Sequence, residues 1–337
     1  MSAVLEALQQ KIPDLHPQLF TTVPESLFAE TLDTFSYHSL TCDVGLIQKN
    51  GLHEDLPATI RRLQEFLPFS DSLVSELARK IKGCSLVLCD IAPLGIAVAR
   101  KAGIPSVLIE NFTWDWIYRA YLPRYPDLQP AIHCLAAQYR QADIHIRTEP
   151  VCGSSRGQLH CGPIFRRIRK QRAEIRQELR CQDKKLVFIS MGGIDLELPF
   201  VHQLPALPHT IFLLAGQEKN HRFAENVFLL SRSSNFYHPD LINAADLVVC
   251  KSGYSSVAEC FQAGVPMVTV GRASFRESAI LEQFSAAKLT GQVFSQEEFL
   301  SGSWLTRLES LFSIPRQTIA PQNGADTITD HLSPFLS

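Results

Sequence analysis

Short apolar runs alternate along this chain with stretches whose apolar residues recur at helical spacing, and turn residues punctuate the joints. That is the pattern of strands buried on both faces of a parallel sheet and connected by helices. It is clearest between Tyr237 and Glu282. Residues 239–245 are spaced as a short helix, 246–250 form a valine-containing apolar run, and the polar turn Lys251-Ser252-Gly253-Tyr254-Ser255 follows directly. Ser256 and Glu259 fit the S-x-x-E capping box that opens a helix, Gly264 closes it, and 266–270 begin the next strand. The segment reads as one βαβ unit.

In open parallel sheets ligands bind beyond the carboxyl ends of the strands, where loops meet helix N-termini. Ser252, Gly253, Tyr254, Ser255 and Ser256 occupy that place. Free N–H groups and the positive end of the helix dipole suit an anion there, such as a diphosphate. Glu259, one turn further on, has two readings that spacing alone leaves open. It is a helix cap, or a carboxylate that accepts hydrogen bonds from ribose hydroxyls.

Residues 1–11 are spaced as a helix with no strand before them, whereas such a helix in an α/β domain normally follows a strand and a loop. Strands at 18–22 and 34–38 flank a helix at 25–32, and 56–82 is helical with a break near Pro68. The run 85–90 is a buried strand that ends in Asp90, which places this carboxylate at the ligand-facing end of the sheet. A helix at 94–102 and a strand at 106–109 lead into Glu110-Asn111-Phe112-Thr113-Trp114-Asp115-Trp116-Ile117-Tyr118, whose rings keep neither period. This stretch is either a sugar-facing wall of rings with a carboxylate or a hydrophobic staple that pins one helix.

A strand at 143–147 completes a first domain over 1–150. Residues 151–182 read as a connector: 153–157 have loop composition, and 166–180 form a basic helix with seven Arg or Lys against Glu174 and Glu178. A solvated linker helix accounts for that charge, and anionic lipid or nucleic acid is the other reading. A second domain over 183–320 opens with a strand at 185–191 and the pair Gly192-Gly193, which either lets backbone approach a ligand closely or makes a tight turn. Helices at 196–204, 277–288 and 296–312 and strands at 209–214 and 226–229 fill the domain. A last helix within 321–337 is expected to cross back to the first domain.

At 337 residues, with 45% apolar and 20% charged content, the chain is long enough for two domains with cores of their own. The net charge of -2 gives no electrostatic case for nucleic acid as a partner. Nine cysteines are scattered with no CxxC pair, which reads as reduced, buried thiols rather than a disulfide framework. Cys152, His160 and Cys161 lack a second ligand pair with metal spacing, so no metal is expected. The N-terminus has no basic leader, and no apolar run reaches the length of a membrane span, so a cytoplasmic protein without an integral membrane segment is expected. There is no P-loop and no Gly-x-Gly-x-x-Gly of the dinucleotide type, and no cofactor is expected.

The string K-S-G-Y-x-x-V-x-E-x-x-x-x-G-V-P, from Lys251 to Pro266, resembles the nucleotide-binding segment of family 28 glycosyltransferases, which include the bacterial lipid II N-acetylglucosaminyltransferase. Arg272-Ala273-Ser274-Phe275-Arg276-Glu277 with Leu281-Glu282, and the string from Asn111 to Tyr118, are closer to the glycosyltransferase-like N-terminal half of plant L-arabinokinases and its stand-alone bacterial relatives. The segment from Asp43 to Gln48, with Asp55 and Thr59, also matches that pattern; by itself it reads as a structured loop. The resemblance implies two facing Rossmann-like domains of the glycosyltransferase B type. It implies a nucleotide-sugar held by Gly192, Gly193, Ser252 to Ser256 and Glu259, with Arg272 aiding the diphosphate; Glu277 and Glu282 are either contacts to sugar hydroxyls or exposed helix carboxylates. Asn111 and Trp114 then fall on the acceptor side. These relatives have a first strand and a Gly-His-rich loop ahead of the segment resembling Ser2 to Leu8, so a misplaced start codon or a truncation is expected here. The kinase half of arabinokinases has a Gly/Ser-rich phosphate loop that does not occur in this chain.

The function implied is transfer of a hexosyl or N-acetylhexosaminyl group from a nucleoside diphosphate sugar, UDP-sugar by preference, to a hydroxyl acceptor. Such a reaction needs a base for the acceptor and donors for the leaving diphosphate. Asp90 and Asp115 are the candidates for the base, on position. Two alternatives stay open: a nucleotide-sugar hydrolase that uses the same donor site, and a non-catalytic nucleotide-sugar-binding protein.

Overall fold

The buried apolar runs pair as parallel strands in two separate α/β units of the computed structural model, which describes residues 1–153, 159–192, 196–232 and 234–336. Gly193 and most of the expected loop at 153–157 lie outside the described residues.

The first unit comprises residues 1–47, 55–164 and 322–337. In chain order it contains α1 (Ser2–Lys11), β1 (Gln18–Thr21), α2 (Glu25–Ala29), β2 (Ser36–Ser39), α3 (Leu56–Phe66), α4 (Asp71–Lys80), β3 (Val87–Asp90), α5 (Pro93–Ala102), β4 (Ser106–Glu110), α6 (Trp114–Arg119), α7 (Gln129–Tyr139), β5 (Ile144–Thr148) and β6 (Leu159–Cys161). Its strands form two parallel ladders, β1-β2 and β3-β4-β5-β6, with no backbone pairing between β1 and β3. Side chains nevertheless run across the break on both faces. Leu19 of β1 shares a core cluster with Val107, Ile109 and the α1 residues Val4 and Leu8. Phe20 of β1 and Val87 of β3 both pack on Leu77, Leu94 and Val98. One sheet position is therefore bridged by packing rather than by hydrogen bonds.

The second unit comprises residues 48–54 and 165–321. It contains α8 (Arg172–Glu178), β7 (Lys185–Ser190), β8 (Thr210–Gln217), β9 (His221–Ala224), β10 (Val227–Ser231), α9 (His238–Ala244), β11 (Leu247–Lys251), α10 (Tyr254–Ala263), β12 (Met267–Val270), α11 (Arg276–Leu289), β13 (Gln292–Phe294), α12 (Gln296–Ser301) and α13 (Leu308–Phe312). Seven strands run in the order β13-β12-β11-β7-β8-β10-β9, parallel except for β9. From β7 the chain moves one way to β8 and β10, then returns to place β11 on the other side of β7. The carboxyl ends of β7 and β11 thus flank a topological switch point, where connections diverge and leave a crevice. Both faces of the central strands are covered: Val248 and Cys250 join the cluster containing Leu241 and Val257, while Leu247 and Val249 join that of Phe200 and Trp304. A last helix, α14 (Gly324–Leu332), belongs to the first unit, where Lys11 Nζ lies 2.8 Å from Asp330.

Several boundaries differ from the sequence reading. Helix α10 begins at Tyr254, with Gly253 in extended conformation as its N-cap and no side-chain cap. The capping box of Ser256 and Glu259 does not form: Ser256 already lies in the first turn, and Glu259 turns inward to charged partners. The basic segment is helical only over Arg172–Glu178 and belongs to the second unit. Arg172 and Arg176 both bind Asp246, at 2.6 and 3.1 Å, and Asp246 also accepts from the Leu186 amide. Burial pushes the Asp246 carboxyl up, but that amide and the two guanidinium groups outweigh it and hold the carboxyl below the usual range. The charge of this helix is thus partly spent inside its own unit. The expected helix at 296–312 is broken at Gly302, whose φ of 76° ends α12. Helix α6 forms in the aromatic stretch that lacked a period, and the short strands β9 and β13 carry too few residues to show one.

Candidate anion-binding site

Three strand ends of the second unit supply the groups of this site. Gly192 follows β7 with φ 81°, Lys251 is the last residue of β11, and Arg272 comes just after β12. A Cβ at position 192 would lie 2.8 Å from Lys251 Cε and Nζ and would displace the lysine tail from this strand end, and the φ of 81° itself favours glycine there. The Lys251 ammonium makes no hydrogen bond or ion pair among the described residues. Burial and the neighbouring charge of Arg272 push its ammonium below the usual lysine range.

Arg272 is 4% exposed, stacks its guanidinium 4.6 Å over the Phe275 ring, and leaves Nε and Nη2 buried without a hydrogen-bond partner among the described residues. Glu54 Oε2 faces it at 3.6 Å, within ion-pair range but beyond a hydrogen bond. Two cations with unspent donors thus stand beside the N-terminus of α10, whose first-turn amides have no partner four residues back. An anion with several acceptor oxygens would satisfy all of them. Ser252 is buried next to this turn and donates through Oγ to Glu282 Oε1 at 2.7 Å. Glu277 is buried in the first turn of α11, where the helix dipole favours a carboxylate.

Glu259 sits apart from this group. It is 2% exposed, with Oε1 accepting from Arg166 Nε at 2.8 Å and Oε2 bound to His238 Nδ1 at 3.0 Å. The other ring nitrogen of His238 lies 3.3 Å from Ser190 Oγ at the end of β7. Burial pushes the Glu259 carboxyl up, while the His238 hydrogen bond and the Arg166 charge together bring it below the usual range.

In the first unit, Trp114 opens α6 and donates from Nε1 to Asp43 Oδ2 at 2.8 Å. Its ring stacks on Tyr118 at 5.8 Å and meets Phe112 edge-on at 5.0 Å. Burial raises the Asp43 carboxyl; the Trp114 bond works against this and the nearby Asp90 charge adds to it. Asp90 ends β3 with its side chain 55% exposed, and Asp115 pairs with Arg119 at 3.3 Å. Asn111 is buried against Cys152, whose amide donates to the Asn111 carbonyl at 2.7 Å.

Of the residues singled out from sequence, the structure gathers Gly192, Ser252, Gly253, Arg272 and Glu282 around the ends of neighbouring strands, and sets Asp90 and Trp114 beside Asp43 in the first unit. Sequence reasoning passed over Lys251, Glu54, Asp43, His238 and Arg166 as site residues. Lys251 was legible, since it ends an otherwise apolar strand at the ligand side. Glu54, His238 and Arg166 act through contacts distant in sequence, and no local pattern marks them. Among the described residues no group of His, Cys, Asp and Glu is placed to hold a metal ion, and no helix is long and apolar enough to cross a membrane.

Residues 200–309 match the glycosyltransferase family 28 C-terminal domain. That span carries Lys251, Arg272 and the whole turn between β11 and α10. The chain is also 27% identical over 312 residues to L-arabinokinase of Arabidopsis thaliana, covering 89% of this chain and 29% of that protein. Among solved structures it is similar to MurG of Acinetobacter baumannii (TM-score 0.56, 16% identity, 99% of this chain and 95% of that one). It is likewise similar to a UDP-glucosyltransferase of Polygonum tinctorium (TM-score 0.61, 12% identity, 99% and 96%). The fold is that of the glycosyltransferases with two Rossmann-like domains.

Two substitutions probe these carboxylates. Because the folded Asp43 carboxyl titrates above its unfolded value, the wild-type fold gains from its protonation below that value and loses the gain as pH rises through the folded one. Asp43→Asn, which can still accept from Trp114, is therefore expected to raise the melting temperature at neutral pH, with the difference shrinking toward pH 4. A lower melting temperature at pH 7 would contradict this. Glu259→Gln removes the charge that Arg166 and His238 share, and should cost roughly 1–3 kcal/mol of stability at neutral pH. The folded Glu259 carboxyl titrates low, so this contribution is present above the unfolded value and lost as pH falls through the folded one. Urea unfolding at pH 7 and at pH 3.5 checks both the size and the sign.

Proposed function

We propose that the chain transfers a glycosyl group from a nucleoside diphosphate sugar to a hydroxyl acceptor. The observation that carries this reading is the pair Lys251 and Arg272, part-buried and buried at a strand-end switch point with donors left over. The diphosphate would lie between them and the first turn of α10, with the backbone at Gly192 close by. As the bond from the sugar to the diphosphate breaks, negative charge grows on the leaving oxygen. Prearranged cations and amides in a poorly hydrated crevice stabilise that charge more than they stabilise the bound donor.

The match of residues 200–309 to a glycosyltransferase domain favours transfer over the hydrolytic and non-catalytic readings. A UDP-sugar is the donor we favour, as in the name of the Polygonum tinctorium relative, with a hexosyl or N-acetylhexosaminyl group as cargo. The chain spans 29% of the L-arabinokinase it resembles, and the kinase activity in that name is not carried over. We assign ribose recognition to the group of Glu259, His238 and Arg166. At 2% exposure Glu259 is met only after its two partners, so it holds them in place as much as it accepts a hydroxyl. Ser252 and Glu282, already hydrogen-bonded, face the sugar side, with Glu277 behind them.

For the base we favour Asp90, assisted by Asp43. Both candidates are ion-paired, Asp115 with Arg119 at 3.3 Å and Asp90 with the Met1 amino group at 3.2 Å, but the Asp90 side chain is 55% exposed against 14% for Asp115, and Asp43 beside it is raised above the usual carboxylate range. Asn111 and Trp114 support that corner. A ligand that binds only the folded protein stabilises it by about 2.7 kcal/mol at a hundredfold excess over its dissociation constant. UDP is expected to raise the melting temperature more than NAD or ATP does. Lys251→Gln or Arg272→Gln should weaken UDP by about tenfold or more, the worth of one charged hydrogen bond. A shift with NAD equal to or larger than that with UDP would overturn the reading.

A further inference from the structure

Residues 48–54 leave the first unit to become part of the second, and they do so as a preformed turn. Gln48 and Glu54 form an antiparallel bridge, the Lys49 amide donates to His53 O at 2.8 Å, and Asn50 Oδ1 accepts from the Leu52 and His53 amides at 2.9 and 3.0 Å. Leu52, 1% exposed, anchors the turn in the cluster that contains Val249, Val268 and Val270. These are the strands whose carboxyl ends carry Lys251 and Arg272. The anchored turn delivers the Glu54 carboxylate, 5% exposed, to 3.6 Å from Arg272 Nη2. At that distance it offers charge without taking up the guanidinium donors. Lys251 and Arg272 therefore keep their donors for a ligand, while a fixed negative charge sits beside the place where the ligand's charge must go.

We propose that Glu54 sets which anion this site prefers, favouring the diphosphate diester of an intact nucleoside diphosphate sugar over the more highly charged free nucleoside diphosphate and inorganic pyrophosphate. This rests on reading the crevice as a diphosphate site. Lys251, Arg272 and Glu54 together leave one positive charge in excess, which the two negative charges of a diphosphate diester already offset. A free terminal phosphate adds charge, and Glu54 repels that addition across a poorly hydrated gap. Donor is thereby selected over its own leaving group, which eases release after transfer. Glu54 is a specificity residue that acts on charge; it need not touch the ligand.

The test is the affinity of UDP-glucose, UDP and pyrophosphate for wild type and for Glu54→Gln, measured by calorimetry in low salt. Removing the charge should tighten all three in order of ligand charge: less than about twofold for UDP-glucose, about fivefold for UDP and about tenfold or more for pyrophosphate. Glu54→Asp, which keeps the charge, should keep the wild-type order. Glu54→Met, neutral and of similar length, replaces the Gln variant if that one does not fold, since Leu52 still anchors the turn. Equal gains for all three ligands, or weaker binding of UDP than in wild type, would overturn this inference while leaving the diphosphate site in place. Binding of none of them to either protein would remove the site itself, and with it both readings.

Discussion

Two cations held close together and away from water are the constraint around which the second unit is arranged. Such a pair is unfavourable without counter-charge, and every element near it bears on that cost. Strand β11 ends at Lys251, β12 ends two residues before Arg272, and Gly192 has no side chain to displace the lysine tail. Phe275 offers its ring face to the guanidinium, and the turn at 48–54 brings Glu54 near without closing the pair. What is left unsatisfied is an anion-shaped demand. A protein with no ligand for this crevice would gain stability by replacing either cation with an apolar side chain.

The same economy of charge is handled differently nearby. Asp246 collects Arg172, Arg176 and a strand amide, and Glu259 collects Arg166 and His238, so both carboxylates are held low. These are closed networks: their donors and acceptors find one another within the unit. Asp43 in the first unit is the opposite case, a half-buried carboxylate with one donor, Trp114, among the described residues and another acid nearby, and it is raised. Closed networks fix the scaffold, whereas the open groups, Lys251, Arg272 and Asp43, are where chemistry has room to occur.

Much of the architecture was legible because buried parallel strands are apolar on both faces and announce themselves as runs. The strands from 185, 209 and 246 were found for this reason. Helix starts were less secure. A Ser-x-x-Glu spacing suggested a cap at Ser256, but Gly253 can adopt the extended N-cap conformation unaided, and the Glu259 carboxylate gains more from Arg166 and His238 than from a cap. The basic helix looked solvated because its acceptor, Asp246, lies seventy residues away in sequence. The role of Trp114 was ambiguous for the same reason: its ring does pin a helix, yet its indole N–H also orients Asp43. Glu54 gave no sign at all, being one acid in a polar loop until the fold carries it to Arg272.

The central claim is that Lys251, Arg272 and the first turn of α10 hold a diphosphate. A crystal structure of the protein with UDP tests it most directly. The account predicts phosphate oxygens within hydrogen-bond distance of Lys251 Nζ, of the Arg272 guanidinium and of amides in the Tyr254 to Ser256 turn. A diphosphate bound elsewhere, with Lys251 and Arg272 left as they are, would contradict it.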